Sequence, residues 1–93
     1  MSVTRELIVT NKVGLHARPA AIFAKTAAGF KSKITIENID RGSPSVNAKS
    51  ILSLLTIGAQ KDHHIRLNIE GVDEKAAMDT LAALILNKCG EVD

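Results

Sequence analysis

The most regular hydrophobic pattern in the chain is His64-Ile65-Arg66-Leu67-Asn68-Ile69-Glu70, where polar and apolar positions alternate over the whole stretch. A period of two puts Ile65, Leu67 and Ile69 on one face of a strand and the four polar residues on the other, which therefore meets water. Ile34 and Ile36 alternate with Lys33, Thr35 and Glu37 in the same way and predict a second half-buried strand. After it, Asp40-Arg41-Gly42-Ser43-Pro44 predicts a turn into a short piece around Val46, so the two pieces form a hairpin. Near the start, the apolar and β-branched run from Glu6 to Thr10 predicts a first strand, and Asn11-Lys12-Val13-Gly14 a loop after it.

Helical spacing is clearest between Ala17 and Ala28. Ala20, Phe23, Ala24 and Ala27 recur at i, i+3, i+4 and i+7, with Pro19 in the first turn and Gly29 just past the end. Ala48 to Ile57 predicts a second helix of about two and a half turns, with Gly58 at its exit. Past Gly71, Asp73 is a good N-cap and Glu74 suits the positive helix end. Ala77, Leu81 and Leu84 mark the apolar stripe of a last helix reaching about Lys88, with Cys89 late in it. The order is β-α-β-β-α-β-α. An antiparallel sheet with one wet face and helices on the other is the economical packing of those elements, an α+β fold.

Length and composition narrow what such a fold can do. The 93 residues suit one domain spanning 1–93. A chain of this size buries only about 60–65% of its unfolded surface, which leaves little room for an enclosed active site, so a surface site is expected. Apolar residues make up 45% and charged residues 24%, which argues against disorder, and a formal charge of +2 does not by itself imply nucleic acid. The single Cys89 cannot form an internal disulfide and no Cys/His spacing suggests zinc, so a reducing, cytoplasmic setting and no metal are expected. No apolar leader opens the sequence and no run approaches 18 apolar residues, so neither secretion nor membrane insertion is expected.

The stretch richest in chemistry is Gly14-Leu15-His16-Ala17-Arg18-Pro19-Ala20, which delivers a histidine to the start of the first helix. Helix starts present N–H groups without intrahelical partners and the positive end of the dipole, so they accept anions, phosphate among them. Arg18 adds a fork of donors, and Pro19 loses nothing in a turn whose N–H groups would have been unpaired. The same positive surroundings disfavour imidazolium and leave a ring nitrogen of His16 available as a nucleophile toward phosphorus. The competing interpretation is a surface histidine that caps the helix.

Two motifs carry a family resemblance. Gly14-Leu15-His16-Ala17-Arg18-Pro19-Ala20 and Asn47-Ala48-Lys49-Ser50-Ile51 resemble the active-site and regulatory-serine motifs of the histidine-containing phosphocarrier (HPr) family of the bacterial sugar phosphotransferase system, and the similarity spans nearly the whole chain. The resemblance implies an open-faced β-sandwich: a four-stranded antiparallel sheet in the order 1-4-2-3 with three helices on one face. It implies that His16 takes a phosphoryl group on Nδ1 from phosphorylated enzyme I, ultimately from phosphoenolpyruvate, and passes it to sugar-specific IIA domains. Such a protein is a stoichiometric carrier rather than an enzyme and needs no cofactor; a monomer is expected. Ser50 would be the target of an ATP-dependent HPr kinase/phosphorylase, although a serine at a helix start is also an ordinary N-cap. The chain departs from the family in a longer Asn38–Ser45 hairpin, in His63-His64 before the last strand and in the tail from Lys88 to Asp93.

Ile51, Leu52, Leu54, Leu55 and Ile57 are too many apolar residues for one stripe of a short helix. Leu54 and Ile57 are assigned to the core. Ile51, Leu52 and Leu55, with Ala17, are assigned to a partner-facing patch beside His16. His63 and His64 are expected at the surface, and Lys25, Lys31 and Lys33 on a solvated basic rim, while Lys49 and Arg18 lend positive charge to the docking face. Two alternatives stay open. Ile8-Val9-Thr10-Asn11-Lys12-Val13-Gly14 also resembles the nitrogen-branch homologue, whereas Lys49-Ser50-Ile51 favours the carbohydrate branch. A small α/β nucleic-acid-binding module is the alternative from another class. Two phenylalanines are the only aromatics, and neither lies on a wet strand face where it could stack on a base.

Overall fold

The computed structural model describes residues 2–90. Its elements are β1 (Ser2–Ile8), α1 (Ala17–Ala28), β2 (Lys33–Asn38), β3 (Val46–Asn47), α2 (Ile51–Thr56), β4 (His64–Glu70) and α3 (Glu74–Leu86), followed by a 3-10 turn, Lys88–Gly90. The strands form one sheet in the order β1-β4-β2-β3, and every neighbouring pair is antiparallel. This is the 1-4-2-3 open-faced sandwich with three helices.

The alternation in β4 explains its central place. Ile65, Leu67 and Ile69 are fully buried and lie opposite Leu7, Arg5 and Val3 on one side and Asn38, Ile36 and Ile34 on the other. The helices complete that core with Ala20, Phe23 and Ala24 from α1, Leu54 from α2, and Ala77, Leu81 and Ile85 from α3, all buried. On the opposite face Arg66 stands between Glu6 and Glu37, at 3.2 Å and 2.6 Å, and these hydrogen bonds raise its pKa further.

Four details depart from the expectations. The first strand spans Ser2–Ile8 rather than Glu6–Thr10, because the edge strand takes its length from pairing with all seven residues of β4, from Ser2 opposite Glu70 to Ile8 opposite His64. The second helix is six residues, not the Ala48–Ile57 span. Ala48 N–H still donates to Ile34 O in the sheet and Lys49 N–H to the Asn47 side chain, so Ser50 stays extended at φ −110° and the helix starts only after it. Asp73 makes no side-chain cap on α3. Its carboxylate instead takes the Ser32 hydroxyl and the N–H groups of Lys31 and Ser32, the latter two at 2.8 and 2.9 Å; the hydroxyl first, and then the Lys31 N–H, hold its pKa below the ordinary value. The last helix ends at Leu86, so Cys89 lies outside it, buried in the 3-10 turn with φ 51°. The residues beyond Gly90 in the Lys88 to Asp93 tail lie outside the described residues.

Candidate functional site

His16 closes a loop that is tied down at several points. Val9 and Asp62 extend the β1 edge toward residue 63, through Val9 N–H to His63 O (3.0 Å) and Asp62 N–H to Val9 O (2.8 Å). Asn11 is fully buried and its amide donates to Lys88 O at 2.8 Å. Gly14 then turns the chain with φ +73°, its N–H on Asn11 O, and a Cβ there would overlap the Ala59 carbonyl and come within 2.7 Å of Gln60 Cα. Only glycine meets both demands. The next residue, Leu15, buries its side chain and donates its N–H to that same Ala59 carbonyl at 2.9 Å.

With the loop fixed, His16 takes the N-cap position of α1 in extended conformation, φ −79° and ψ −169°. Its carbonyl accepts the first helical hydrogen bond from Ala20 N–H at 3.0 Å. Its imidazole makes no cap hydrogen bond, so the competing interpretation of His16 as a side-chain cap does not hold. Ala17 and Arg18 follow, both exposed, and Pro19 is buried as the third helical residue. Ahead of the Ala20 bond, the amides of Ala17 and Arg18 have no helical carbonyl to donate to, and the first turn holds no acidic side chain. Negative charge brought to the start of α1 would thus meet the positive helix end, without an opposing carboxylate in that turn.

Ser50 is the N-cap of α2, and its hydroxyl oxygen accepts from Ser53 N–H at 3.2 Å. This helix packs against α1. Because Ala59, just past its far end, holds Leu15, the six residues of α2 span about 9 Å between the Ser50 end and the end nearest the His16 loop. The apolar residues divide between its two sides as expected. Leu54 and Ile57 are 0% and 1% exposed, whereas Leu52 is 77%, Ile51 43% and Leu55 40% exposed. Val13, in the His16 loop, adds another exposed apolar side chain that sequence reasoning placed only in a loop.

Other expectations need correction. The Lys49 ammonium donates to Phe30 O at 2.7 Å, so it ties the exit of α1 to the approach of α2 instead of standing ready for a partner. His63 is half-buried rather than at the surface. Its Nδ1 accepts both Gln60 N–H (3.1 Å) and the Asn38 amide (2.9 Å), and Asn38 also donates to Ile57 O (3.1 Å). His64 is exposed, as expected, and pairs with Asp40 through Nδ1 at 2.9 Å; the His64 backbone N–H first, and then this side-chain bond, lower the Asp40 pKa. Lys25, Lys31 and Lys33 are all exposed. Among the described residues no group of His, Cys, Asp and Glu could hold a metal, and no helix is long and apolar enough to cross a membrane.

A family model described as the PTS HPr component phosphorylation site matches residues 3–87. The phosphocarrier protein HPr of Xylella fastidiosa is 43% identical over 86 residues, covering 92% of this chain and 93% of that protein. A multiphosphoryl transfer protein of Haemophilus influenzae is 38% identical over 90 residues, 97% of this chain but only 18% of that much longer relative. Among solved structures, an HPr from Thermoanaerobacter tengcongensis superposes with a TM-score of 0.89 at 40% identity, covering 98% of this chain and 99% of that one. Sequence and fold agree over almost the full length, and the chain belongs to the HPr family, the phosphocarrier proteins of the phosphotransferase system.

Proposed function

We propose that His16 accepts a phosphoryl group on Nδ1 from phosphorylated enzyme I and passes it to sugar-specific IIA domains. The reading rests on one observation above the others: the imidazole stands at the start of α1 without serving as its cap, on a loop held by Gly14, Leu15 and Ala59. In the transfer, the Nδ1 lone pair forms the new P–N bond as the bond from phosphorus to the donor breaks, and the ring proton stays on Nε2. The amides of Ala17 and Arg18 and the Arg18 guanidinium stabilise the charge of the phosphoryl oxygens on His16. In this reading the protein is the substrate of its partners, taking up and giving up one phosphoryl group per cycle, and so is a stoichiometric cytoplasmic carrier rather than an enzyme, with no cofactor.

Ala17, Ile51, Leu52 and Leu55 form the surface on which partners dock in this reading, and their exposure supports it. Ser50 is the regulatory position, a target for an HPr kinase/phosphorylase. A phosphate there would stay at a favourable helix end while adding a charge of about −1.5 to −2 to the docking face. The experiment is incubation with enzyme I and labelled phosphoenolpyruvate. Wild type should take up label, His16→Ala should fold and take up none, and Arg18→Ala should fold and transfer more slowly. Label retained in His16→Ala would overturn the assignment.

A further inference from the structure

The Asn38–Ser45 hairpin takes no part in the His16 site, yet it is not a loose loop. Asn38 N–H donates to Ser43 Oγ (2.7 Å), Ser43 N–H returns to Asn38 O (3.0 Å), Gly42 N–H reaches Ile39 O (3.1 Å) and Arg41 N–H reaches Asn38 Oδ1 (3.3 Å). Outward ties fix it further, through Ile39 N–H to His64 O (2.9 Å) and the Asn38 amide to Ile57 O (3.1 Å). This frame lays the Arg41 guanidinium over Gly58, where a Cβ would collide with Nη1 and lie 3.1 Å from Cζ. Gly58 directly precedes Ala59, the residue whose carbonyl holds Leu15 and so the His16 loop.

Arg41 is exposed, and among the described residues its guanidinium makes no ion pair and no hydrogen bond. It is therefore not a cap for the last carbonyls of α2. The neighbouring Asp40 is already engaged by His64. A guanidinium set beside Gly58 at the exit of α2, with no carboxylate of its own among the described residues, matches a carboxylate brought by another protein.

We propose that Arg41 is a specificity-determining cation of the docking face, set by the hairpin at the exit of α2 to meet a carboxylate on a protein that exchanges phosphoryl with His16. The proposal rests on the phosphocarrier reading, because such a protein must cover the face around His16, Leu55 and Gly58. Arg18 then serves the phosphoryl group, and Arg41 serves recognition.

The test measures dissociation constants of unphosphorylated wild type, Arg41→Lys, Arg41→Gln and Arg41→Glu for enzyme I and for a IIA domain. Ionic strengths of about 0.01 M and 0.15 M, with Debye lengths of about 30 Å and 8 Å, separate charge from packing. For at least one partner, Arg41→Glu should weaken binding about tenfold at the lower ionic strength, Arg41→Gln less and Arg41→Lys least, and the differences should shrink at the higher one. Melting temperatures of all four should agree. Unchanged affinity of Arg41→Glu for both partners, or a loss insensitive to salt, overturns the proposal. Phosphorylation of wild type is followed in parallel: a protein that binds through Arg41 but is not labelled on His16 refutes the carrier reading alone, and one labelled on His16 whose binding ignores Arg41 refutes this inference alone.

Discussion

Leu52 and Leu54 stand two residues apart on α2 and should respond to truncation to very different extents. Burying a whole leucine side chain contributes about 1.5–3 kcal/mol, and Leu52 keeps 77% of its surface in water, so its burial contributes roughly a quarter of that, about 0.4–0.7 kcal/mol. Leu54 is 0% exposed and lies under the helix against the sheet, where removing three carbons also leaves a cavity, so Leu54→Ala should cost about 2–5 kcal/mol. In a domain of this size, 3 kcal/mol corresponds to a fall of roughly 12–24 °C in Tm, whereas Leu52→Ala should lower it by only a few degrees. Urea and thermal melts of both variants measure the contrast. Leu52→Glu, assayed beside them, should keep a near wild-type melt and yet weaken complexes with enzyme I and IIA domains. A loss of more than about 2 kcal/mol in Leu52→Ala would place Leu52 in the core and remove the docking patch from the account.

Three further perturbations probe other links. Gly14→Ala forces a side chain into φ +73° and against the Ala59 carbonyl, so it should cost about 1–3 kcal/mol and slow transfer by up to about 10²-fold as His16 shifts; calorimetry and transfer kinetics check both, and an unaltered transfer rate would separate this loop from the chemistry. Ser50→Ala loses the bond to Ser53 N–H and about 1 kcal/mol, while Ser50→Asp can replace it, so the aspartate variant should be the more stable of the two and yet the slower to be phosphorylated by enzyme I, most of all at low salt. The Asp73 pKa is lowered in the fold first by the Ser32 hydroxyl and then by Lys31 N–H, so its contribution is complete above the ordinary carboxylate value of 3.8 and fades as pH falls through the lowered one. Asp73→Asn should flatten that acid limb of the stability curve, and an unchanged limb in pH-dependent melts would contradict it.

Periodicity revealed the elements whose burial is one-sided. β4 and α1 have the bounds their patterns predict, because side chains alternating every two residues, or recurring every three and four, have a single way to face one core. Ser2–Arg5 carries no such pattern because an edge strand needs little burial, and what makes it a strand is a ladder to residues more than 60 positions away. The pattern overstates the second helix because Ala48 is apolar enough to read as helical, while its N–H belongs to the sheet. At the site, a motif of seven residues disclosed His16, Arg18 and Pro19, and the position of His16 at the first turn followed from Pro19. The anchors Asn11 and Ala59, the Lys49 to Phe30 bond and the seat of Arg41 over Gly58 depend on where distant loops meet, for which local sequence carries no signal. The burial of His63 is hidden for the same reason: of its two donors, Gln60 lies in the loop before β4 and Asn38 at the end of β2.

In this mechanism phosphoryl is carried on one atom of one side chain, and that atom can be observed directly. After transfer from phosphorylated enzyme I, imidazole 15N spectra of the labelled protein at neutral pH should show Nδ1 of His16 changed and the rings of His63 and His64 unchanged. Brief acidification should then release the phosphate and restore the original spectrum, since a P–N bond hydrolyses in acid. Phosphate found on His63 or His64, or an acid-stable ester on Ser50 made by enzyme I, would contradict the account.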